Sequence, residues 1–240
     1  MNPVDDSIDY LGTELEVFAH ATNWRAYWQG QVRPYLGSTV LEVGAGIGTV
    51  AKSLCAGEIR RWVALEPDAA MAAGLRADRS AGRLHAACEI RTGSIGSLAD
   101  AERFDNVLYI DVLEHIEDDR DEVRRARDHL NPGGTLIILV PAHQSLYSPF
   151  DAAIGHFRRY DREQLSSLCP SGMSSVCARY LDSVGLSASL ANRVLLRSAQ
   201  PKLAQVLLWD RVMVRVSRVV DPLLGYRFGK SLLVVWKKNQ

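Results

Sequence analysis

Between residues 39 and 140 of this 240-residue chain, short apolar runs alternate with helical segments, and glycine or proline stands at most of the boundaries. Residues 39–43, 62–65, 84–91, 104–110 and 135–140 read as strands. Residues 47–55, an Ala-rich segment capped by Asp68, and residues 119–130 read as helices, the last stopped by the turn at 131–134. Strands separated by helices of about a dozen residues imply crossover connections and a parallel sheet. The ligand of such a sheet binds outside the carboxyl ends of its strands, where the strand order reverses.

The first strand runs into Gly44-Ala-Gly46-Ile-Gly48 and a helix. Glycines permit the tight turn and let a ligand approach the main chain, and a helix start favours an anionic group. A dinucleotide loop would read G-x-G-x-x-G. Here the third glycine comes one place early, and Thr49 takes its position. Glu42 precedes the loop by two residues. A charge there repels a pyrophosphate and suits a ligand with an ammonium and a sulfonium, since unit charges near a protein surface interact by roughly 4 kcal/mol at 4 Å. Glu66, at the end of the second strand, is placed to accept hydrogen bonds from ribose hydroxyls. Asp68 reads as a helix cap.

Beyond Pro141 the pattern changes. Residues 141–160 form a polar loop long enough to expect function in it. Residues 161–168 read as a short helix, 174–181 as a strand, 203–220 as a long helix and 231–237 as a final strand. Residues 10–36 read as helical and carry Tyr10, Phe18, Trp24, Tyr27, Trp28 and Tyr35.

Hydrophobic residues make up 47% and charged residues 23%, which fits a packed core rather than disorder. The formal net charge is zero, without the basic excess of a nucleic-acid binder. Cys55, Cys88, Cys169 and Cys177 are scattered and read as reduced thiols, and no metal-ligand spacing stands out. The polar start and the lack of a long apolar stretch lead us to expect a cytoplasmic protein with no membrane span and no metal.

Val40-Leu-Glu-Val-Gly-Ala-Gly-Ile-Gly48, Glu66, Val112-Leu-Glu-His-Ile116 and Asn131-Pro-Gly-Gly134, in this order, resemble the class I S-adenosylmethionine-dependent methyltransferases. The resemblance implies a Rossmann-like α/β fold: a seven-stranded, mostly parallel sheet with an antiparallel last strand, helices on both faces and an N-terminal helical lid. It implies one domain over 1–240, with a lid at 1–36, a cofactor-binding core at 37–140 and a substrate side at 141–240. S-adenosyl-L-methionine would rest on Glu42, Gly44, Gly46, Gly48, Glu66, Pro67, Ser94, Ile95, Asp111 and Val112. Ser94 stands where the family commonly has an aspartate near the adenine.

A narrower resemblance, to small bacterial methyltransferases of sugar and natural-product pathways, rests on Val140-Pro-Ala-His143, Leu146-Tyr147, Asp151, Gly155-His-Phe-Arg-Arg-Tyr160, Ala21-Thr-Asn-Trp24 and Gly229-Lys-Ser-Leu-Leu233. It implies a small-molecule substrate. For a hydroxyl acceptor a base is needed, and histidine titrates in the right range. His143, after the fifth strand, is the leading candidate, followed by His115 and His156. Trp24, Tyr147, Arg158, Arg159 and Tyr160 are the candidate substrate contacts, one arginine clamping an acidic group and the other forming an ion pair with Asp151 or Asp161. Arg211, Arg215 and Arg218 share one helix face, read as a solvated stripe, with a lid or a homodimer contact as alternatives. A nucleic-acid or protein methyltransferase, or a catalytically silent cofactor-binding protein, is the alternative function.

Overall fold

The computed structural model describes residues 17–195 and 203–240. Tyr10 and the rest of 1–16 lie outside the described residues. Strands β1 (Thr39–Val43), β2 (Arg61–Glu66), β3 (Cys88–Thr92), β4 (Phe104–Ile110), β5 (Leu130–Pro141), β6 (Met173–Leu181) and β7 (Ser231–Lys238) form one sheet in the order β3-β2-β1-β4-β5-β7-β6. β1 to β5 pair in parallel, and β7 lies antiparallel between β5 and β6. This is the expected Rossmann-like sheet.

The central strands are apolar on both faces because both are covered, as parallel sheets require. Val40, Trp62, Ala64, Leu108, Ile137 and Val235 belong to one core layer. Leu41, Val63, Val107, Tyr109, Ile138 and Val234 alternate with them into the other. The first layer is covered by α1 (Thr22–Val32), through Trp24, Tyr27, Trp28 and Val32, and by α2 (Thr49–Leu54). Val123 and Ala126 of α4 (Asp119–Asp128) pack in the second. Helix α3 (Ala69–Ser80) starts on Asp68, whose side chain accepts from the Met71 N–H at 2.8 Å.

Several expected boundaries move, each for a local reason. Helix α2 begins at Thr49 rather than 47 because Gly48 caps it in the left-handed region, at φ 78°. Residues 84–87 leave the third strand for a turn, in which the Cys88 N–H bonds the His85 carbonyl at 2.9 Å. Asn131-Pro-Gly-Gly134 joins β5, at a register shift against β4 between Phe104 and Asn106. The 141–160 loop contains α5 (Pro149–Ala153), closed by a capping box between Ser148 and Asp151, and precedes α6 (Arg162–Ser166). Helix α7 (Ser183–Leu195) carries no sequence expectation. The expected long helix is α8 (Leu203–Leu208), a π turn at Trp209–Met213 and α9 (Val214–Leu223).

Three buried aspartates tie this last helical layer to the front of the fold. Asp210 accepts from the Asn23 and Trp24 N–H groups at the start of α1. Asp221 accepts from the Tyr27 hydroxyl at 2.7 Å and from the Asp182 and Ser183 N–H groups. Asp182 accepts from Trp209 Nε1 and the Ser217 hydroxyl. Buried charges persist when hydrogen-bonded in this way, and breaking the set would leave uncompensated acids. Among the described residues, no helix is long and apolar enough to cross a membrane.

Candidate functional site

A cleft of about 300 Å³ opens at the carboxyl rim of the sheet, the expected place. Its walls are the glycine loop, the aromatic side of α1 with Trp24 and Trp28, the end of β4, and residues of the 150–159 segment; Trp209 and Lys230 complete it.

The glycine loop is held by backbone geometry. Gly44, Gly46 and Gly48 have φ of 70°, 54° and 78°, where side chains are strained. A Cβ on Gly44 would lie 2.6 Å from Val112 Cγ2. Val112 therefore packs behind the loop and is absent from the cleft lining. Gly48 is closed in the same way by Leu75, and it too stands off the cleft. Glu66 is 5% exposed and accepts from the Gly46 N–H at 2.7 Å and the Asp68 N–H at 2.9 Å. Its carboxylate fixes the loop to the end of β2, with Pro67 following. Ser94 is exposed at the end of β3, whereas the Ile95 side chain is buried in the core.

Glu42 requires a correction. Its side chain is 2% exposed, takes the Trp62 indole N–H at 2.8 Å and stands off the cleft lining. Burial pushes its carboxyl up to about 8. At neutral pH it is a neutral acid inside the core, so the charge argument for a cationic ligand does not attach to it.

Asp111 takes over the role of cleft acid. It lines the cleft with a non-glycine φ of 53° and an open side chain. The surrounding protein pushes it up to about 6, against the pull of Lys230. Lys230 faces the cleft with Nζ 5.0 Å from the Trp209 ring centroid and forms no ion pair among the described residues. Burial lowers its ammonium, while Asp182, Asp151 and Asp111 oppose the shift. Glu114 is 1% exposed, and neither of its carboxylate oxygens has a hydrogen-bond partner among the described residues. Burial first, then the charge of Asp111, raises its pKa well above the ordinary range.

The three candidate histidines part company. His143 lies off the cleft: its Nε2 meets the Gly229 carbonyl at 3.0 Å, and its ring stacks on Tyr180 at 5.0 Å. This corrects the leading expectation, because the left-handed backbone at His143, φ 66°, turns the side chain toward the β6–β7 side. His115 lines the cleft, but burial, then His156, push it down to about 4, where it is a weak base. His156 lines the cleft with Nδ1 3.0 Å from Asp151 Oδ1. Its Nε2 lies 3.9 Å from Glu114 Oε1 and makes no hydrogen bond among the described residues. Burial alone would raise Asp151, but bonds from His156 and Arg159 hold it well below the usual carboxylate range. Glu114, His115 and His156 also offer one potential metal-ligand atom each, all within 4.8 Å of one another.

The expected arginine clamp is also corrected. Arg159 lines the cleft, yet its fork already grips Asp151, at 2.7 and 3.1 Å. Arg158 pairs with Asp119 at 2.5 Å and bonds the Glu117 carbonyl. Tyr160 is buried with its hydroxyl on Asp119, and Tyr147 donates to the His156 carbonyl at 2.7 Å. Arg158, Tyr147 and Tyr160 shape the loop from outside the cleft. Trp24 alone of the expected substrate contacts is a cleft wall with no competing polar partner for its ring, which packs on Trp209 at 5.9 Å. Trp209, Lys230 and Asp111 with its raised pKa were not legible as a set, since Asp111 and Lys230 lie 119 positions apart in the chain.

Residues 41–136 match the family model described as a methyltransferase domain. A ubiquinone biosynthesis O-methyltransferase of Azorhizobium caulinodans is 35% identical over 109 residues, 45% of this chain and 42% of that protein. The chain thus matches less than half the length of that curated relative. Among solved structures, a Thermotoga maritima protein described as a possible histamine N-methyltransferase aligns with a TM-score of 0.62 at 19% identity, over 98% of this chain and 99% of that one. A coclaurine N-methyltransferase bound to N-methylheliamine and S-adenosylhomocysteine aligns with a TM-score of 0.61 at 15% identity, over 90% of this chain and 72% of that one. Residues 41–136 are therefore similar to a methyltransferase domain, and the chain shares the fold of these methyltransferases.

Proposed function

We propose that the chain transfers a methyl group from S-adenosyl-L-methionine to a hydroxyl, or an amine, of a small polar metabolite in the cytoplasm, with a sugar or natural-product intermediate as the substrate class. The observation that carries this reading is that the methyltransferase-type glycine loop and an Asp151–His156 pair line one cleft. The residues fit the donor: Gly44 and Gly46 line the cleft on left-handed backbones, Glu66 sits beside them for ribose hydroxyls, and Ser94 is exposed at the end of β3. Bound there, the donor supplies an electrophilic methyl group on a sulfonium.

The chain's own work is alignment, exclusion of water and movement of one proton. Trp24, Trp28 and Trp209 close the apolar side, and holding two reactants in attack geometry supplies much of the acceleration. Asp151 accepts the Nδ1–H of His156 and so leaves Nε2 as the acceptor for a substrate proton. Lys230 and Asp111 are placed to meet polar groups of the substrate. The neutral net charge favours a small molecule over a nucleic acid.

Calorimetry with S-adenosylhomocysteine and NADH tests the cofactor. Tighter binding of NADH would overturn the assignment. A mass-spectrometric screen of metabolites with labelled S-adenosylmethionine tests the reaction; binding without transfer to any class of acceptor would favour the catalytically silent reading.

A further inference from the structure

Outside the cleft, the outward side of the last helical layer is exposed and apolar among the described residues. Eight of the eleven exposed large apolar side chains among the described residues fall between 203 and 228. Leu208, Val212, Val216, Val219 and Leu223 recur three or four residues apart and form one ridge, with Val219 65% and Leu223 81% exposed. Leu224 and Phe228 extend it. The opposite side of the same helices is already satisfied: Val206 and Val214 are in the core, and Asp210, Ser217 and Asp221 carry the buried hydrogen bonds. The ridge is therefore a second apolar face on a docked helix.

Charge along the ridge has one sign. Arg211, Arg215, Arg218 and Arg227 are exposed beside it. The acids between 203 and 228 are Asp210 and Asp221, and both are buried. In a chain of zero net charge this is a strong local bias. A two-fold dimer through this face would set the same patch against itself, arginines included, and like charges across an interface are unfavourable. An apolar ridge flanked by cations instead matches the interface of an anionic bilayer. The ridge enters the acyl boundary, and the arginines reach lipid phosphates.

We propose that the face formed by Leu208–Phe228 docks the protein peripherally on an anionic membrane surface. The face does not depend on the methyl-transfer reading. Because Trp209 of the same layer lines the cleft, docking sets the cleft close to the lipid surface.

Co-sedimentation of the full chain with phosphatidylcholine vesicles, with and without phosphatidylglycerol, tests this. Binding to the anionic vesicles should exceed binding to the neutral ones by about tenfold or more and weaken with salt. Arg211→Gln with Arg218→Gln, two exposed side chains with no ion pair among the described residues, should remove most of that preference. Val216→Ser with Val219→Ser and Leu223→Ser should lower binding to both vesicle types. Unchanged thermal unfolding of each variant shows that folding is intact, and either variant alone suffices if the other fails to fold. Absence of vesicle binding, equal binding to both vesicles, or binding indifferent to both variants overturns the proposal. So does a dimer by light scattering that the apolar variant dissociates while vesicle binding persists.

Discussion

The His156 ring presents Nδ1 to Asp151 Oδ1 at 3.0 Å, while its Nε2 remains on the cleft side without a hydrogen bond among the described residues. An ionised Asp151 can only accept, so Nδ1 carries a proton, and in the neutral ring Nε2 is the nitrogen with the free lone pair. Arg159 and Ser148 complete the coordination of Asp151 and hold the pair rigid. His143 has no such freedom, because its Nε2 is committed to the Gly229 carbonyl.

With any acceptor hydroxyl found by the screen, His156→Ala should lower the single-turnover rate by about 10²–10⁴ and leave S-adenosylhomocysteine affinity near that of the unaltered protein. Asp151→Asn should act in the same direction. His143→Ala should keep the rate and lower the melting temperature, since it loses a hydrogen bond and a stacked ring. The opposite pattern would return the base to His143. EDTA should not change the rate if His156 serves as a base; a loss restored by a divalent ion would instead make Glu114, His115 and His156 ligands.

Glu66→Ala should weaken S-adenosylhomocysteine binding by on the order of 1.5–3 kcal/mol, the worth of hydrogen bonds to a charged group. The variant also frees the Gly46 and Asp68 N–H groups, so Glu66→Gln, which keeps an acceptor for one of them, should fall between the two. Ser94→Ala should stay within about 1 kcal/mol. Isothermal calorimetry reads all three, and an unchanged affinity in Glu66→Ala would remove it from the site.

Gly44→Ala places a methyl group 2.6 Å from Val112 Cγ2 on a backbone at φ 70°. Strain of this kind costs about 1–3 kcal/mol. The substitution should therefore lower both stability and cofactor affinity, and adding Val112→Ala should recover part of the loss by removing the clash while the φ penalty stays. Full recovery would mean that the backbone conformation itself carries no cost there.

How much of this was legible follows the range of each signal. The strand order's parallel half, the Asp68 cap and the glycine turn depend on neighbours in sequence, and the pattern of apolar runs exposes them. His143 looked well placed because it follows the fifth strand, but a single positive φ sends its ring away, and no residue pattern announces that at a histidine. Glu42 reads as a charge facing the ligand because it stands two residues before the glycine loop; only the packing of Trp62 against it shows a buried acid. An ion pair between one of the two arginines and Asp151 was expected and is found, but that Arg159 makes it, and that Arg158 turns to Asp119 instead of a substrate, emerges from the fold of the 148–159 segment. The second apolar ridge on the last helix was hidden because the basic residues on that helix suggested a plain solvated stripe.

Glu42 gives the last prediction its sign. Its folded pKa, about 8, lies above the ordinary 4.5, so the folded protein holds the proton more tightly than the unfolded chain. The stabilisation from that proton is complete below the unfolded pKa and is lost as pH rises through about 8. Beyond that point the core must either hold a buried carboxylate against the Trp62 indole or open. Melting temperature should therefore fall between pH 6 and pH 9, by about 5–10 °C if the loss is a few kcal/mol. Glu42→Gln keeps the shape and an acceptor for the indole N–H but cannot ionise. It should remove most of this fall and be the more stable protein at pH 9, the two converging only as pH falls towards 4.5. Parallel melting curves of both proteins across that range decide the matter: identical pH dependence would mean that Glu42 is ionised and solvated despite its place in the core.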